Sequence, residues 1–313
     1  MEVIKSVFRP DFTWPQPMKP TISKTTPALP SRPGKLRQRV WGLLHTCLSH
    51  FSKWYTRWYG VYSEPHVYQL PFGLILKWSD RTSEEEAVAM QMARAAGMPV
   101  PMVLSYGWHP GCSYNRFWSI LMTRLPGFTL ANSSDPLDVE VEEPWLSELR
   151  DCIDSMRQWT SPYDASICSP MGTSIRSSRV PDHIMGPFPT EAELHDFLLS
   201  PASGHGFDST QEYIDALAQA NEIRKMPHRI TFTHGDFKAH NIMVGDDNQL
   251  TGILDWESGG WMPEYWEYTT ALRFGRRSWW GEVVTWLGGD KYSQQLTCDI
   301  ALNSLTVDSY IAF

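Results

Sequence analysis

Nowhere does the sequence hold a run approaching the roughly 18 apolar residues of a membrane-spanning helix, and its opening, MEVIKSVFRP, lacks the apolar core of a secretory signal. It reads as soluble and cytoplasmic. Cysteine is scarce: Cys47, Cys112, Cys152, Cys168 and Cys298 are odd in number and form no Cys-x-x-Cys pair. That argues against a disulfide framework or a zinc module and fits a reducing compartment. Charged residues are only 20% of the chain and apolar ones 42%, an ordinary balance that excludes wholesale disorder, collagen and coiled coil. What is plentiful is aromatic surface, with 15 Trp, 12 Tyr and 13 Phe among 313 residues. At roughly 150 residues per domain, that length allows two domains and a cleft.

The charge is unevenly spread. Ten lysines and arginines face only Glu2 and Asp11 in the first 60 residues, so this part carries +8 while the whole chain carries −8, leaving −16 for the rest. An acidic body disfavours nucleic acid as a partner and suits neutral or cationic substrates, although plain solubility explains it too.

Residues 9–34 hold seven prolines among Ser, Thr and Lys, a composition that reads as a tail or an extended strap. From Leu36 to Tyr59, apolar residues recur every three or four positions, which predicts an amphipathic helix with a basic polar face. The expected place for its apolar stripe is a neighbouring lobe; a membrane-surface helix is the alternative, and membrane contact is not expected. Strands follow at Val67–Leu70 and Leu74–Trp78 around Pro71-Phe72-Gly73, then a helix opening at Ser83 and closed by Gly97, then strands at 102–106 and 118–122. Beyond Leu125 the pattern is mainly helical, with short strands at 230–233, 242–244 and 251–254. The expectation is an α+β fold divided into a tail over 1–35, a small sheet lobe over 36–124 and a larger helical lobe over 125–313.

Two segments carry chemistry. Thr233-His234-Gly235-Asp236-Phe237-Lys238-Ala239-His240-Asn241 is followed by Gly252-Ile253-Leu254-Asp255-Trp256-Glu257. An Asp and an Asn five positions apart, with a second Asp past the next strand, suit phosphoryl transfer from ATP. Mg²⁺ is a hard ion that takes oxygen ligands, and the acceptor hydroxyl must be held in line. Asp236 is the candidate to orient the hydroxyl and take its proton, with Asn241 and Asp255 the candidate metal ligands.

His-Gly-Asp-x-x-x-x-Asn followed by Ile-Leu-Asp-Trp-Glu resembles the catalytic and metal loops of the aminoglycoside phosphotransferase family, the small-molecule branch of the protein-kinase-like bilobal fold. The resemblance runs from about Tyr68 to Arg273, and the wording of residues 186–191 and 260–268 is similar to the large fungal subgroup. It implies that Lys77, at the end of an apolar strand, grips ATP phosphates while Glu86, on the next helix, holds its ammonium. It also implies that the Met122-Thr123-Arg124-Leu125 connection offers backbone groups to adenine. Lys238 stands where many protein kinases place a lysine beside the transferring phosphate, and His234 is expected to brace the loop.

Glu257 and Trp261, in a cluster with Trp256, Tyr265, Trp266 and Tyr268, are the candidate acceptor contacts, suited to a cationic or aromatic molecule; burial in a helical core explains the same residues. Residues 60–66 contain no Gly-x-Gly-x-x-Gly, which leaves the triphosphate contacts unassigned. The first expectation is therefore an ATP- and Mg²⁺-dependent small-molecule kinase. A nucleotide-binding pseudokinase or scaffold is second. A protein kinase is last, since the loop reads His-Gly-Asp and no Ala-Pro-Glu follows. The acceptor and the oligomeric state are not legible.

Overall fold

The computed structural model describes residues 6–62, 65–112, 116–132, 136–273 and 275–306. Two compact units form. The first comprises Met1–Ser23, Pro27–Leu130 and His240–Glu257; the second comprises Lys24–Thr26, Ala131–Ala239 and Ser258–Phe313. Packing thus assigns residues 240–257 to the sheet-bearing unit, so Asn241 and Asp255 belong with Lys77.

In the first unit, helix α1 (Lys35–Tyr59) precedes strands β1 (Val67–Leu70) and β2 (Leu74–Lys77), helix α2 (Glu84–Ala96), and strands β3 (Val103–Trp108) and β4 (Trp118–Thr123). The four strands form an antiparallel sheet in the order β1-β2-β4-β3. A second sheet sets β5 (Phe128–Thr129) beside β9 (Ile242–Val244) and β10 (Leu250–Ile253), in the order β10-β9-β5. The α2 boundaries follow capping chemistry. The Ser83 hydroxyl accepts the Glu86 backbone N–H, and Gly97 closes the helix at φ 105°, where a side chain would be strained.

The proline-rich segment is a strap rather than a free tail. Trp14 N–H donates to Arg124 O at 2.8 Å, Lys19 N–H to Gly97 O at 3.0 Å and Ser23 N–H to Ala96 O at 2.9 Å, and Ile22 is buried. Proline fixes φ and thereby lowers the entropy lost when such a chain is laid down.

Helix α1 reverses the expected orientation. Its buried side chains include Gln38, His45, Ser49, Ser52 and Thr56, together with Gly42, whereas Leu36, Val40, Leu43, Leu44, Phe51, Trp54 and Trp58 are exposed. Two causes are visible. Gly42 lies against β3 so closely that a Cβ there would meet Trp108 O at 2.2 Å, which admits only the small face of the helix. The polar side chains then find partners: His45 Nδ1 is 2.7 Å from Ser119 Oγ, its Nε2 is 2.9 Å from Ser105 Oγ, and Ser52 Oγ donates to Gln69 O at 2.6 Å.

In the second unit, helices α3 (Val139–Glu142), α4 (Trp145–Met156), α5 (Glu191–Leu199), α6 (Thr210–Asn221), α7 (Trp266–Leu272), α8 (Trp279–Trp286) and α9 (Ser293–Thr306) accompany two short antiparallel strand pairs. These are β6 (Ile175–Arg176) with β7 (Ile184–Met185), and β8 (Ile230–Thr233) with β11 (Gly260–Pro263). Its core holds Ile167, Leu194, Met262, Tyr265 and Trp266. Across this core Arg179 and Asp299, both buried, form an ion pair, and the guanidinium lies 3.7 Å from the Trp266 ring centre.

Candidate active site

Lys77 ends β2, and its Nζ lies 2.7 Å from Glu86 Oε1, 2.5 Å from Asp255 Oδ1 and 3.7 Å from Glu257 Oε2. Burial alone would lower the ammonium pKa, but the three carboxylates outweigh it and hold Lys77 above the ordinary lysine range. Of three consecutive glutamates, α2 presents Glu86 to this lysine, while Glu84 is taken by Arg32 at 2.7 Å. Ser83-x-x-Glu86 has the spacing of a capping box, yet the Glu86 carboxylate goes to Lys77 instead of turning back to the cap.

Asp255 follows β10 with φ 61°, a left-handed conformation uncommon outside glycine. Strain of this kind recurs where a side chain must be aimed at a site. Leu254 N–H donates to Asn241 O at 2.8 Å, tying the two short loops together, and the Trp256 indole N–H donates to Ile253 O at 3.0 Å. Lys77, Glu86, Asn241 and Asp255 line one cavity of about 580 Å³. That volume is in the range of small-molecule sites. Val67, Ile75, Met90, Leu125 and Met243 supply its apolar walls, and Met122 and Arg124 line it from the end of β4.

The Arg124 side chain is committed elsewhere: its guanidinium donates to Pro10 O, and its backbone N–H to Gly73 O at 2.7 Å. Asp11 and Thr13 of the strap also line the cavity. Sequence reading missed them, because a polar residue in a proline-rich segment carries no signal of where the segment is laid. Ser63 and Glu64, in the degenerate 60–66 segment, lie outside the described residues.

Glu257 stands beside Lys77. Glu86, Asp255 and Glu257 offer carboxylate oxygens within 4.8 Å of one another, a grouping that could hold a cation. Carboxylate oxygens with a neighbouring Asn amide are the hard donor set that magnesium takes. Trp261 is corrected outright. It is fully buried on β11, 5.0 Å edge-to-face from Phe232, and presents no surface to an acceptor. Trp256, Tyr265, Trp266 and Tyr268 are buried as well, so these aromatics are core. Each large ring buries much apolar area, and these fill the interior beside its Ile, Leu, Val and Met residues.

In the second unit, Asp236 and Lys238 form an ion pair at 2.6 Å, and Asp236 N–H donates to His234 Nδ1 at 3.3 Å. The loop before Asp236 is gripped by Glu267, whose carboxylate accepts the N–H groups of His234 at 2.6 Å and Gly235 at 3.1 Å. Burial pushes the Glu267 carboxyl upward, partly countered by His234 and these two bonds. Gly235 has φ 80°, and a Cβ on it would meet Ser258 O at 2.2 Å, so no other residue fits. Glu267 escaped sequence reading, although a lone acid among Tyr265, Trp266 and Tyr268 is a signal that a buried carboxylate needs donors.

The sequence profile described as the phosphotransferase enzyme family matches residues 69–289. No curated protein matches at a significant level. Among solved structures, the chain is similar to a thermostable mutant of aminoglycoside phosphotransferase APH(4)-Ia in ternary complex with ADP and hygromycin B. The TM-score is 0.53 and the identity 15%, over 81% of this chain and 88% of that one. It is also similar to the GDP and kanamycin complex of APH(2")-IIia, with TM-score 0.53 and 11% identity over 82% and 90% of the two chains. At such identities the likeness establishes the kinase-like α+β fold, and the profile, which covers more than half of the chain, establishes the lineage: the protein belongs to the phosphotransferase enzyme family.

Proposed function

We propose that this phosphotransferase moves the γ-phosphate of ATP to a hydroxyl group of a small molecule, with Mg²⁺ as its metal. The observation that carries this reading is the convergence of Lys77, Glu86, Asn241 and Asp255 on one cavity. Lys77 grips the α and β phosphates, and Glu86 keeps its ammonium in place. Ile75, Met122 and Met243 enclose the base between apolar surfaces, and the backbone at 122–125 addresses its edge.

The residues that would hold magnesium are Asn241 and Asp255, with Glu257 as a further carboxylate beside them. Bound there, the metal supplies neutralisation of phosphate charge. Asp236 orients the acceptor hydroxyl and takes its proton as the oxygen attacks phosphorus and the bond to ADP breaks. Lys238 offers positive charge to the group in flight. Transfer is direct, with no phosphorylated enzyme. Positioning and electrostatics provide most of the acceleration, and the base about 10²- to 10⁴-fold of it.

With Trp261 and its neighbours in the core, an acceptor that is cationic or aromatic loses its main support, and the acidic body remains the only argument for a cation. The test is purified protein with ATP, Mg²⁺ and a metabolite extract, scored by mass spectrometry for a gain of one phosphate. A phosphorylated small molecule formed only in the presence of both ATP and Mg²⁺ is the expected result. Nucleotide binding without any transfer or hydrolysis overturns the reading in favour of a pseudokinase, which the missing glycine-rich motif in 60–66 motivates.

A further inference from the structure

Among the described residues, the outward face of α1 is an apolar surface that the phosphotransferase chemistry leaves unused. Leu36, Leu43, Trp54 and Trp58 are 78%, 71%, 59% and 73% exposed, and Phe51 is exposed between them. At about 100° per residue these positions fall on one stripe, opposite the Gly42, His45, Ser49, Ser52 and Thr56 face that packs on the sheet. The aromatic rings form a continuous ridge, with Phe51 5.7 Å from Trp54 and Trp54 5.8 Å from Trp58. The 25-residue helix contains Lys35, Arg37, Arg39, Lys53 and Arg57 and no acidic residue, although the chain as a whole is at −8. Arg39, Lys53 and Arg57 flank the stripe on one side and Arg37 on the other.

Soluble proteins rarely leave a contiguous apolar surface of this length in water. Two copies meeting face to face through α1 would set the cations of one helix against those of the other. An anionic bilayer instead satisfies every part of the pattern at once. Leu and Phe enter the acyl boundary, Trp rings settle at headgroup level, and the flanking Arg and Lys reach lipid phosphates. We propose that the exposed face of α1 is a docking surface for membranes rich in anionic phospholipid. This reverses the expectation that the stripe docks within the molecule. Because the opposite face is pinned to β3 and β4 through Gly42 and His45, the helix binds without leaving its unit.

Flotation of the full chain with phosphatidylcholine vesicles, with and without about one-third phosphatidylserine, tests the proposal. The expected result is binding to the anionic vesicles that weakens by about tenfold or more in high salt, or in neutral vesicles, as counter-charge is removed. Leu43→Glu/Trp54→Glu and, independently, Lys53→Gln/Arg57→Gln should each cut binding by about tenfold or more while melting like the parent, since all four side chains are exposed. Absence of binding to anionic vesicles by the folded parent overturns the proposal, as does binding that neither pair of substitutions weakens. A dimer in sedimentation that Leu43→Glu/Trp54→Glu dissolves also overturns it and assigns the face to a second copy.

Discussion

Lys77 and Asp255, 178 positions apart in sequence, meet with Nζ and Oδ1 2.5 Å from each other. One closes the β2 strand and the other stands in a left-handed turn after β10, so the contact unites two segments whose local sequences say nothing of each other. Asp255→Ala should therefore do two things. It removes the proposed metal ligand and a counter-charge of Lys77, and turnover should fall by about 10²- to 10³-fold or more, the scale of losing one preorganised electrostatic group. Isothermal titration should also show that magnesium no longer strengthens nucleotide affinity.

Asp236→Asn is expected to separate binding from chemistry. The amide keeps the size of the side chain but cannot take a proton, so turnover should drop by about 10²- to 10⁴-fold with nucleotide affinity within error of the parent. Single-turnover kinetics beside a nucleotide titration checks it. A matched loss of affinity and rate would show that Asp236 shapes the site instead.

Glu267→Gln probes the grip on the loop before Asp236. Its carboxylate uses both oxygens for the His234 and Gly235 N–H groups, whereas an amide has one acceptor and would turn its own N–H₂ toward a donor. The expected loss is about 1–3 kcal/mol of stability, read from the urea midpoint, with reduced turnover and little change in nucleotide affinity.

Acid should loosen the first unit through two histidines. Burial lowers His45 and His109 from 6.5 to about 4, and His109 Nε2 shares the Ser119 hydroxyl with His45. The unfolded chain takes up protons that the folded one refuses, so stability is full above pH 6.5 and declines as pH falls toward about 4. The ceiling is about 3 kcal/mol per imidazole. Urea midpoints across that window should show the decline, and His45→Gln, which keeps a donor and an acceptor but does not titrate, should flatten it.

Arg179→Ala leaves Asp299 charged and buried, which should cost about 3–5 kcal/mol by thermal or urea unfolding. Replacing both by apolar residues, as in Arg179→Met with Asp299→Leu, should recover much of that.

Much of this was legible in sequence because local physics and tertiary packing agree there. The β1–β2 hairpin, the Ser83 start and Gly97 end of α2, and strands β8 and β9 stand where periodicity and cap residues put them. The convergence of Asn241 and Asp255 on one cavity was readable because these residues sit in two short, adjacent segments. What was not readable depends on close contact. The direction of α1 is decided by Gly42 against Trp108 and by hydroxyl partners on β3 and β4, which outweigh an apolar stripe. Trp261 looked like an acceptor contact because nothing in its neighbours distinguishes a filled interior from an open wall.

The polar seam beneath α1 has a thermal consequence. A junction in which Gln38, His45, Ser49, Ser52, Thr56 and Gly42 are buried beside Tyr55 and Leu48 conceals less hydrocarbon than an all-apolar seam, so prying it apart adds less to the heat capacity. Its hold should persist in the cold, where greasy contacts elsewhere in the molecule slacken, and chilling would erode those contacts before it frees the helix.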